Sequence, residues 1–120
     1  MSPLSDRVAL ASWDLSASVW AMQDNRLDEW QCTYRLEGHT AYVMGVAFAP
    51  GEGRYLASTS ADHTVKLWDV PHYPQRPRSN AAVVRTWELP DLIEGCAFSP
   101  DGQTLACACF NQTCYLEFVS

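Results

Sequence analysis

The sequence has few charged residues, few basic side chains and no long apolar run. Charged residues make up 18% of the 120 residues, and 14 acidic side chains against 8 Lys and Arg give a formal net charge of −6. Clustered cations are needed to neutralise phosphates, so this balance argues against a dedicated nucleic-acid binder. No stretch reaches the roughly 20 apolar residues of a membrane span, and the first residues lack a basic leader and a long apolar run. We therefore expect no nucleic-acid partner, no membrane span and no signal peptide.

Five cysteines are an odd number for a disulfide framework. Without an export signal, reduced thiols in the cytosol or nucleus are the simpler interpretation. Three of them form the pattern Cys107-x-Cys109-x4-Cys114. Structural zinc requires four Cys or His ligands, commonly in CxxC pairs, whereas these three thiols occupy positions that suit small core residues. We favour core packing over zinc binding or redox chemistry, and we predict no metal and no cofactor.

The chain contains an internal repeat. Residues 8–22 (VALASWDLSASVWAM) align without a gap with residues 56–70 (LASTSADHTVKLWDV) at an offset of 48. A third copy, LACACFNQTCYLEFV, occupies 105–119 at an offset of 49 from the second. Upstream, YVMGVAFAP at 42–50 matches LIEGCAFSP at 92–100. A fixed period of this length is typical of a repeat protein.

Each repeat has the pattern of short β-strands separated by turns. The runs VMGVAF and IEGCAF stop at Pro50 and Pro100, and Pro-Gly-Glu-Gly and Pro-Asp-Gly are turn formers. Residues 64–68 alternate in polarity with the period of a strand, and no segment shows the apolar period of a helix. The sequence therefore predicts an antiparallel all-β protein.

These motifs resemble the WD40-repeat family. Gly38-His39 is followed after 28 residues by Trp68-Asp69, which is similar to the family's GH…WD signature, and AFAP, LASTSAD and VKLWD complete the pattern. The match covers 36–70 fully, 1–34 as a truncated unit and 85–120 as a decayed unit. The resemblance implies a WD40-type β-propeller, an all-β fold whose blades are four-stranded antiparallel sheets around a channel.

Applied to this chain, the resemblance implies an incomplete, open propeller. It divides the chain into a truncated blade at 1–37 (strands b, c and d), a complete blade at 38–89, and a degenerate, truncated blade at 90–120 (strands a, b and c). The expected strands are 7–13, 16–22 and 30–37 in the first blade, 42–49, 54–60, 64–70 and 82–89 in the second, and 92–99, 104–110 and 113–119 in the third.

Fewer than three blades is below the four to eight that close a propeller. A repeat unit needs neighbours to cover both of its faces, so terminal blades would leave apolar faces open. We expect the chain to be a fragment or product of a longer propeller. Assembly of several copies into a ring, and an open monomer, remain as alternatives.

The resemblance implies a buried structural tetrad in the complete blade. Its members would be His39, Ser60, Asp62 and Trp68, with Ser58 replacing Ser60 if the strand register differs by two. Although these residue types are similar to those of a hydrolase triad, no G-x-S-x-G elbow or oxyanion loop accompanies them, and we predict no catalytic residue. The first blade keeps Ser12, Asp14 and Trp20, whereas the third places Leu89, Cys109, Asn111 and Glu117 at the four positions.

Candidate partner contacts lie at the narrow face of the disc, where partners dock in the resembled family. They are large side chains next to the b–c turns or at the start of strand a, namely Trp13, Tyr42, Met44 and Phe110. Such residue types anchor interfaces, although Trp13 and Phe110 could instead cover gaps between blades.

The predicted function is a non-catalytic scaffold or adaptor that docks protein or peptide partners within a larger complex. We expect no enzyme activity and no small-molecule substrate, a cytoplasmic or nuclear location, and open blade faces that permit self-association. The alternative is a truncated fragment or isoform of a longer WD40 protein, such as a ubiquitin-ligase substrate receptor or a signalling scaffold, without independent activity.

Overall fold

A computed structural model describes residues 7–11, 15–22, 30–50, 54–71, 79–90, 93–109 and 113–117. These residues form eleven strands in three sheets and contain no helix, which confirms the predicted all-β propeller class. None of the described residues therefore belongs to a helix long and apolar enough to cross a bilayer. The strands are β1 Arg7–Ala11, β2 Ser16–Met22, β3 Trp30–Glu37, β4 Val43–Phe48, β5 Tyr55–Ser60, β6 Thr64–Asp69, β7 Ser79–Asn80, β8 Ala82–Glu88, β9 Ile93–Phe98, β10 Thr104–Cys109 and β11 Thr113–Glu117.

The middle sheet is an antiparallel meander in the order β4-β5-β6-β8. Val65 and Leu67 are buried on one face of β6, and Trp68 is buried on the other, as expected for a strand whose sheet is covered on both faces. The turn between β5 and β6 is tight, because His63 adopts a left-handed φ of 70°. Its backbone N–H donates to the Ser60 carbonyl at 3.1 Å.

The first sheet has the order β1-β2-β3-β7, and β7 was not predicted from the sequence. Although β7 precedes β8 of the middle sheet, it pairs in parallel with β3, and the Ala81 N–H donates to the Arg35 carbonyl at 2.9 Å. The buried Arg7 guanidinium donates to the Val70 carbonyl at 2.9 Å, and the Tyr34 hydroxyl donates to the Pro71 carbonyl at 2.8 Å. These bonds link the first sheet to the segment that follows β6 of the middle sheet.

The last sheet has the order β11-β10-β9, and its register corrects one alignment. Thr104 pairs with Glu117 at the place where Tyr55 pairs with Asp69 in the middle sheet. The β10–β11 connection is therefore one residue shorter than the β5–β6 connection. Leu116, and not Glu117 as predicted from the sequence, consequently occupies the position equivalent to Trp68.

Two apolar layers fill the spaces between successive sheets. One joins the first and middle sheets, with Trp68 and Leu56 fully buried against β2 and β3. The other joins the middle and last sheets around Leu105 and Ile93. The innermost strands β4 and β9 approach so closely that a Cβ on Gly45 would lie 3.2 Å from the Gly95 Cα.

Candidate functional site

The site is the upper edge of the middle sheet, which comprises the 38–42 loop, the 61–63 turn and the first residues of β4. Beneath this edge, Trp68, Ser58 and His39 form a buried chain of hydrogen bonds. The indole Nε1–H of Trp68 donates to the Ser58 Oγ at 2.7 Å, and that oxygen lies 2.7 Å from the His39 Nε2. The chain ends at Asp62, whose Oδ2 lies 3.1 Å from the His39 Nδ1.

The network assigns the protonation state of His39. Because the carboxylate of Asp62 can only accept, the proton belongs on Nδ1, and Nε2 accepts from the Ser58 hydroxyl. Burial lowers the pKa of His39, although its hydrogen bond to Asp62 acts in the opposite direction. The imidazole is therefore neutral near pH 7 and holds one donor and one acceptor in fixed places.

Asp62 fastens the turn to the preceding loop. Its Oδ2 accepts the Thr40 N–H at 2.9 Å, and its Oδ1 accepts the Thr64 N–H at 2.9 Å and the Thr64 hydroxyl. Burial alone would raise the pKa of Asp62, but the hydrogen bonds from Thr64, Thr40 and His39 outweigh it and lower the pKa to about 2. The carboxylate therefore stays charged over the whole physiological range.

Ser60 does not occupy the tetrad position predicted for it. Its hydroxyl donates to the carbonyls of Tyr42 at 2.9 Å and Ala41 at 3.0 Å, and it accepts the Asp62 N–H at 3.2 Å. The physical reason is the strand register, since Ser58 and not Ser60 lies deep enough in β5 to meet the indole of Trp68. Ser60 instead fixes the backbone where β4 begins.

The order Ser58–His39–Asp62 is that of a hydrolase triad, but its burial and its hydrogen bonds are those of a structural network. The Ser58 side chain is fully buried and is also hydrogen bonded to the Trp68 indole. A nucleophile must reach a substrate carbonyl, which a hydroxyl enclosed between two sheets cannot do. The arrangement satisfies buried polar groups that would otherwise destabilise the blade.

The first sheet has only part of this network among its described residues. Trp20 pairs with Val8 as Trp68 pairs with Leu56, but its indole Nε1–H donates to the Ser18 Oγ at 2.9 Å within the same strand. Leu10 stands at the position equivalent to Ser58, so no hydroxyl is available there. Ser12 and Asp14 lie outside the described residues.

Tyr42 and Met44 are the predicted contact residues that the structure describes. Val43 pairs with Ser60 and Gly45 pairs with Thr59, so Met44 is the extra residue of a β-bulge. Tyr42 is 49% exposed and Met44 is 45% exposed. The other two predicted contacts, Trp13 and Phe110, lie outside the described residues.

A second bulge at the same level was not predicted from the sequence. In the last sheet Cys109 pairs with Ile93 and Ala108 pairs with Gly95, which leaves Glu94 as the extra residue on β9. The alignment of 42–50 with 92–100 contains the signal, because it places Glu94 opposite Met44. Strands β4 and β9 thus each project one bulged side chain from neighbouring positions on the upper edge.

The cysteines whose side chains are described lie mainly in the core. Cys96 and Cys107 face each other across β9 and β10, and Cys107 is fully buried. Burial, together with the neighbouring Cys107, raises the pKa of Cys96 to about 12, which keeps it protonated and unreactive. Among the side chains that are described, no group of three or more His, Cys, Asp or Glu is arranged to hold a metal ion.

Comparison with known proteins places this geometry in a family. The family model "WD domain, G-beta repeat" matches residues 30–69 and 83–116. Coronin-7 of Bos taurus is 34% identical over 105 residues, which cover 86% of this chain and 11% of that protein. Small ribosomal subunit protein RACK1y of Oryza sativa is 30% identical over 107 residues, covering 89% of this chain and 28% of the relative.

Solved structures show the same fold. A chain in the crystal structure of the Chaetomium thermophilum polycomb repressive complex 2 aligns with a TM-score of 0.78 at 24% identity, over 93% of this chain and 24% of that one. The present chain thus spans a small part of the proteins that it resembles. Since the family model matches more than half of its residues, the chain belongs to the WD40-repeat family.

Proposed function

We propose that this chain is a non-catalytic platform that docks protein or peptide partners on its upper edge. The single observation that carries the proposal is the bulge at Met44, which holds a large apolar side chain in solvent beside the exposed ring of Tyr42. Large aromatic and thioether side chains are enriched in interface cores and depleted from ordinary surface. The proposal treats 1–37, 38–89 and 90–120 as three consecutive blades.

The platform is rigid where the two side chains emerge. The Ser60 hydroxyl holds the carbonyl of Tyr42, and the Ala61 N–H donates to the same carbonyl at 2.9 Å. Asp62 ties the following turn to the 38–42 loop through the Thr40 N–H. A surface already fixed in its binding conformation loses little entropy when a partner docks, which favours affinity.

The charge of the upper edge favours a partner that is not acidic. Glu37 ends β3, Glu88 pairs with Thr64 beside the turn, and Glu94 projects from the β9 bulge. Arg35 lies 3.2 Å from Glu37 and offsets that carboxylate. Since like charges facing one another across an interface weaken binding, docking to a neutral or basic segment is the expected preference.

The relatives and the cysteines support this general role. Besides the ribosomal subunit protein, the relatives include a probable cytosolic iron-sulfur protein assembly protein from Ixodes scapularis, 36% identical over 92 residues that cover 77% of this chain and 25% of that protein. The free thiols of Cys32 and Cys96 suit a reducing compartment, and we place the function in the cytosol or nucleus.

Partner binding is tested by comparing Tyr42→Ala and Met44→Ala with a matched control. Val84→Ala is the control, because Val84 is also a large exposed apolar side chain, at 54%, but lies on the outer strand β8. Proximity labelling in cells identifies partners of the unaltered chain, and calorimetry with each purified partner gives affinities. Each upper-edge variant should lose about 1–3 kcal/mol of binding free energy. Equal affinities of all three variants would refute the proposed surface.

A second candidate rests on how little of its relatives the chain spans, 11% of Coronin-7 and 28% of RACK1y. In this alternative the chain is part of a longer WD40 protein and has no independent activity. Circular dichroism and light scattering on the purified chain distinguish the two, because a disordered or heavily aggregated sample favours the alternative.

A further inference from the structure

The two bulged residues of the upper edge differ in their chemistry. Met44 on β4 has an apolar thioether side chain, and Glu94 on β9 has a carboxylate. Both are exposed to solvent. Each comes directly after a buried residue, Val43 or Ile93, which holds the start of its strand in the core. A thioether and a carboxylate therefore project from equivalent, fixed positions of two neighbouring sheets.

The two bulges lie side by side because β4 and β9 are in contact. A Cβ added to Gly45 would lie 3.2 Å from the Gly95 Cα and 3.7 Å from the Glu94 carbonyl oxygen. Gly45 directly follows Met44, and Gly95 directly follows Glu94. Since consecutive Cα atoms are only about 3.8 Å apart, one long side chain of a partner can contact both bulged residues.

No ion pair joins Glu94 to a basic side chain among the residues that the structure describes. Every Lys and Arg in that part of the chain is engaged elsewhere. Arg7 donates to the Val70 carbonyl, Arg35 pairs with Glu37, Arg54 pairs with Asp69, Lys66 donates to Thr86, and Arg85 lies over the Trp87 ring. A carboxylate that is held in solvent beside an apolar side chain, with no Lys or Arg of this part of the chain paired to it, favours a cation on the partner.

We propose that the two bulges bind one Lys or Arg side chain of a peptide partner, with its stem against Met44 and its cation at Glu94. Lys and Arg suit this arrangement because each carries a charged head on an apolar stem. Tyr42, two residues before Met44 and 49% exposed, offers a ring on which the same stem or a guanidinium can pack. The assignment rests on the proposed docking of partners at the upper edge, and it makes Glu94 a specificity-determining residue of that surface.

Other classes of partner side chain match the two bulges less well. An apolar side chain would cover Met44 but would take water from the Glu94 carboxylate without supplying a counter-charge. An acidic or phosphorylated side chain would bring like charges together at Glu94. A basic side chain with an apolar stem is the class that satisfies both positions.

The test begins with peptides selected on the unaltered chain. Short peptides of random sequence, displayed on phage, are selected for binding, and synthetic copies of the selected peptides give affinities by fluorescence anisotropy. The selected peptides should share a Lys or Arg at one position. Replacing that residue by Gln should weaken binding about 5- to 30-fold, because a charge-assisted contact is lost.

Glu94→Gln should weaken the same peptide by a similar factor. Combining it with the Gln-substituted peptide should cost little more than either change alone, since both remove one contact. Glu94→Lys should bind a peptide whose basic residue is replaced by Glu better than the unaltered chain does. Glu88→Gln is the matched control, because Glu88 is also an exposed carboxylate but ends the outer strand β8, and it should change affinity less than about twofold. Circular dichroism checks that each variant retains its strands.

Equal weakening by Glu88→Gln and Glu94→Gln would overturn the assignment, since it would reveal only an effect of net charge. Peptides that share no basic residue, yet are weakened by Tyr42→Ala and Met44→Ala, would overturn it and leave the upper edge as the docking surface. A selection that yields no binding peptide, or only peptides unaffected by Tyr42→Ala and Met44→Ala, would count against the docking surface itself, and the assignment would fall with it. The failure of this assignment and the failure of the proposed function are therefore distinguishable.

Discussion

The hydroxyl of Ser58 accepts a hydrogen bond from the indole of Trp68 at 2.7 Å, and both side chains are fully buried. The same oxygen lies 2.7 Å from the Nε2 of His39. One hydroxyl therefore satisfies a donor on β6 and an acceptor from the loop before β4. Because neither group has access to water, both would lose their hydrogen-bond partner if the Ser58 hydroxyl were removed.

Ser58→Ala should lower the free energy of unfolding by about 2–4 kcal/mol, because it leaves the indole N–H and the imidazole nitrogen buried without a partner. Ser60→Ala is the control, since it removes a hydrogen bond to backbone carbonyls at the edge and should cost about 1 kcal/mol. Urea unfolding followed by Trp fluorescence measures both. An equal or larger loss for Ser60→Ala would contradict the assignment of Ser58 to the network.

Gly45→Ala should destabilise the protein by about 1–3 kcal/mol, because the added Cβ would lie 3.2 Å from both the Gly95 Cα and the Thr59 Oγ1. Gly95→Ala is the matched change on the facing strand, where an added Cβ meets nothing within 4 Å, and it should be close to neutral. Similar losses for the two variants would show that β4 and β9 are not in close contact.

Thr59→Val should leave stability unchanged or raise it by up to about 1 kcal/mol. The Thr59 side chain is fully buried, and its Oγ1 has no hydrogen-bond partner in the part of the chain that the structure describes. Val keeps the shape and removes the cost of burying that hydroxyl. Thr59→Ser keeps the hydroxyl but loses the methyl group, and it should destabilise by about 1 kcal/mol. Thermal melts that rank Ser above Val would count against an unpaired hydroxyl here.

Stability should fall with acid in two steps. The folded pKa of His39 is lowered, so the unfolded chain binds more protons there, and stability declines as the pH drops below about 6.5. The folded pKa of Asp62 is lowered to about 2, so its contribution is complete above about 4 and disappears as the pH falls through 2. Urea unfolding at a series of pH values measures both steps.

Two variants separate the steps. His39→Gln should flatten the decline nearer neutral pH, and Asp62→Asn should flatten the one at lower pH. If both variants kept the pH profile of the unaltered chain, other groups would be responsible for its acid sensitivity.

Most of the fold could be predicted from the sequence because strands and turns are local. Pro50, Pro100 and the alternation along 64–68 mark strand limits that the structure reproduces within two residues. Strand β7 could not be predicted, since its two residues form a strand only through their tertiary pairing with β3, where the Tyr34 hydroxyl also donates to the Pro71 carbonyl. Nothing in the composition of 79–80 signals that pairing.

The candidate site, too, was predicted from the sequence only in part. The resemblance to the WD40 family implied the roles of His39, Asp62 and Trp68, and the structure joins them in one network. The choice between Ser58 and Ser60 depended on how far β5 extends beneath the indole, which spacing alone does not give. The replacement of Glu117 by Leu116 at the Trp68 position likewise follows from a turn shortened by one residue.

The sequence by itself determined the kind of unit, because period-two polarity, turn residues and the spacing of His39 to Trp68 are properties of one stretch of chain. Only the tertiary structure decided which hydroxyl completes the network and which residues bulge out, at Met44 and Glu94. These depend on register between strands and on how closely neighbouring sheets approach. Register is set by many weak contacts acting together, and a shift of one residue moves every side chain to the opposite face.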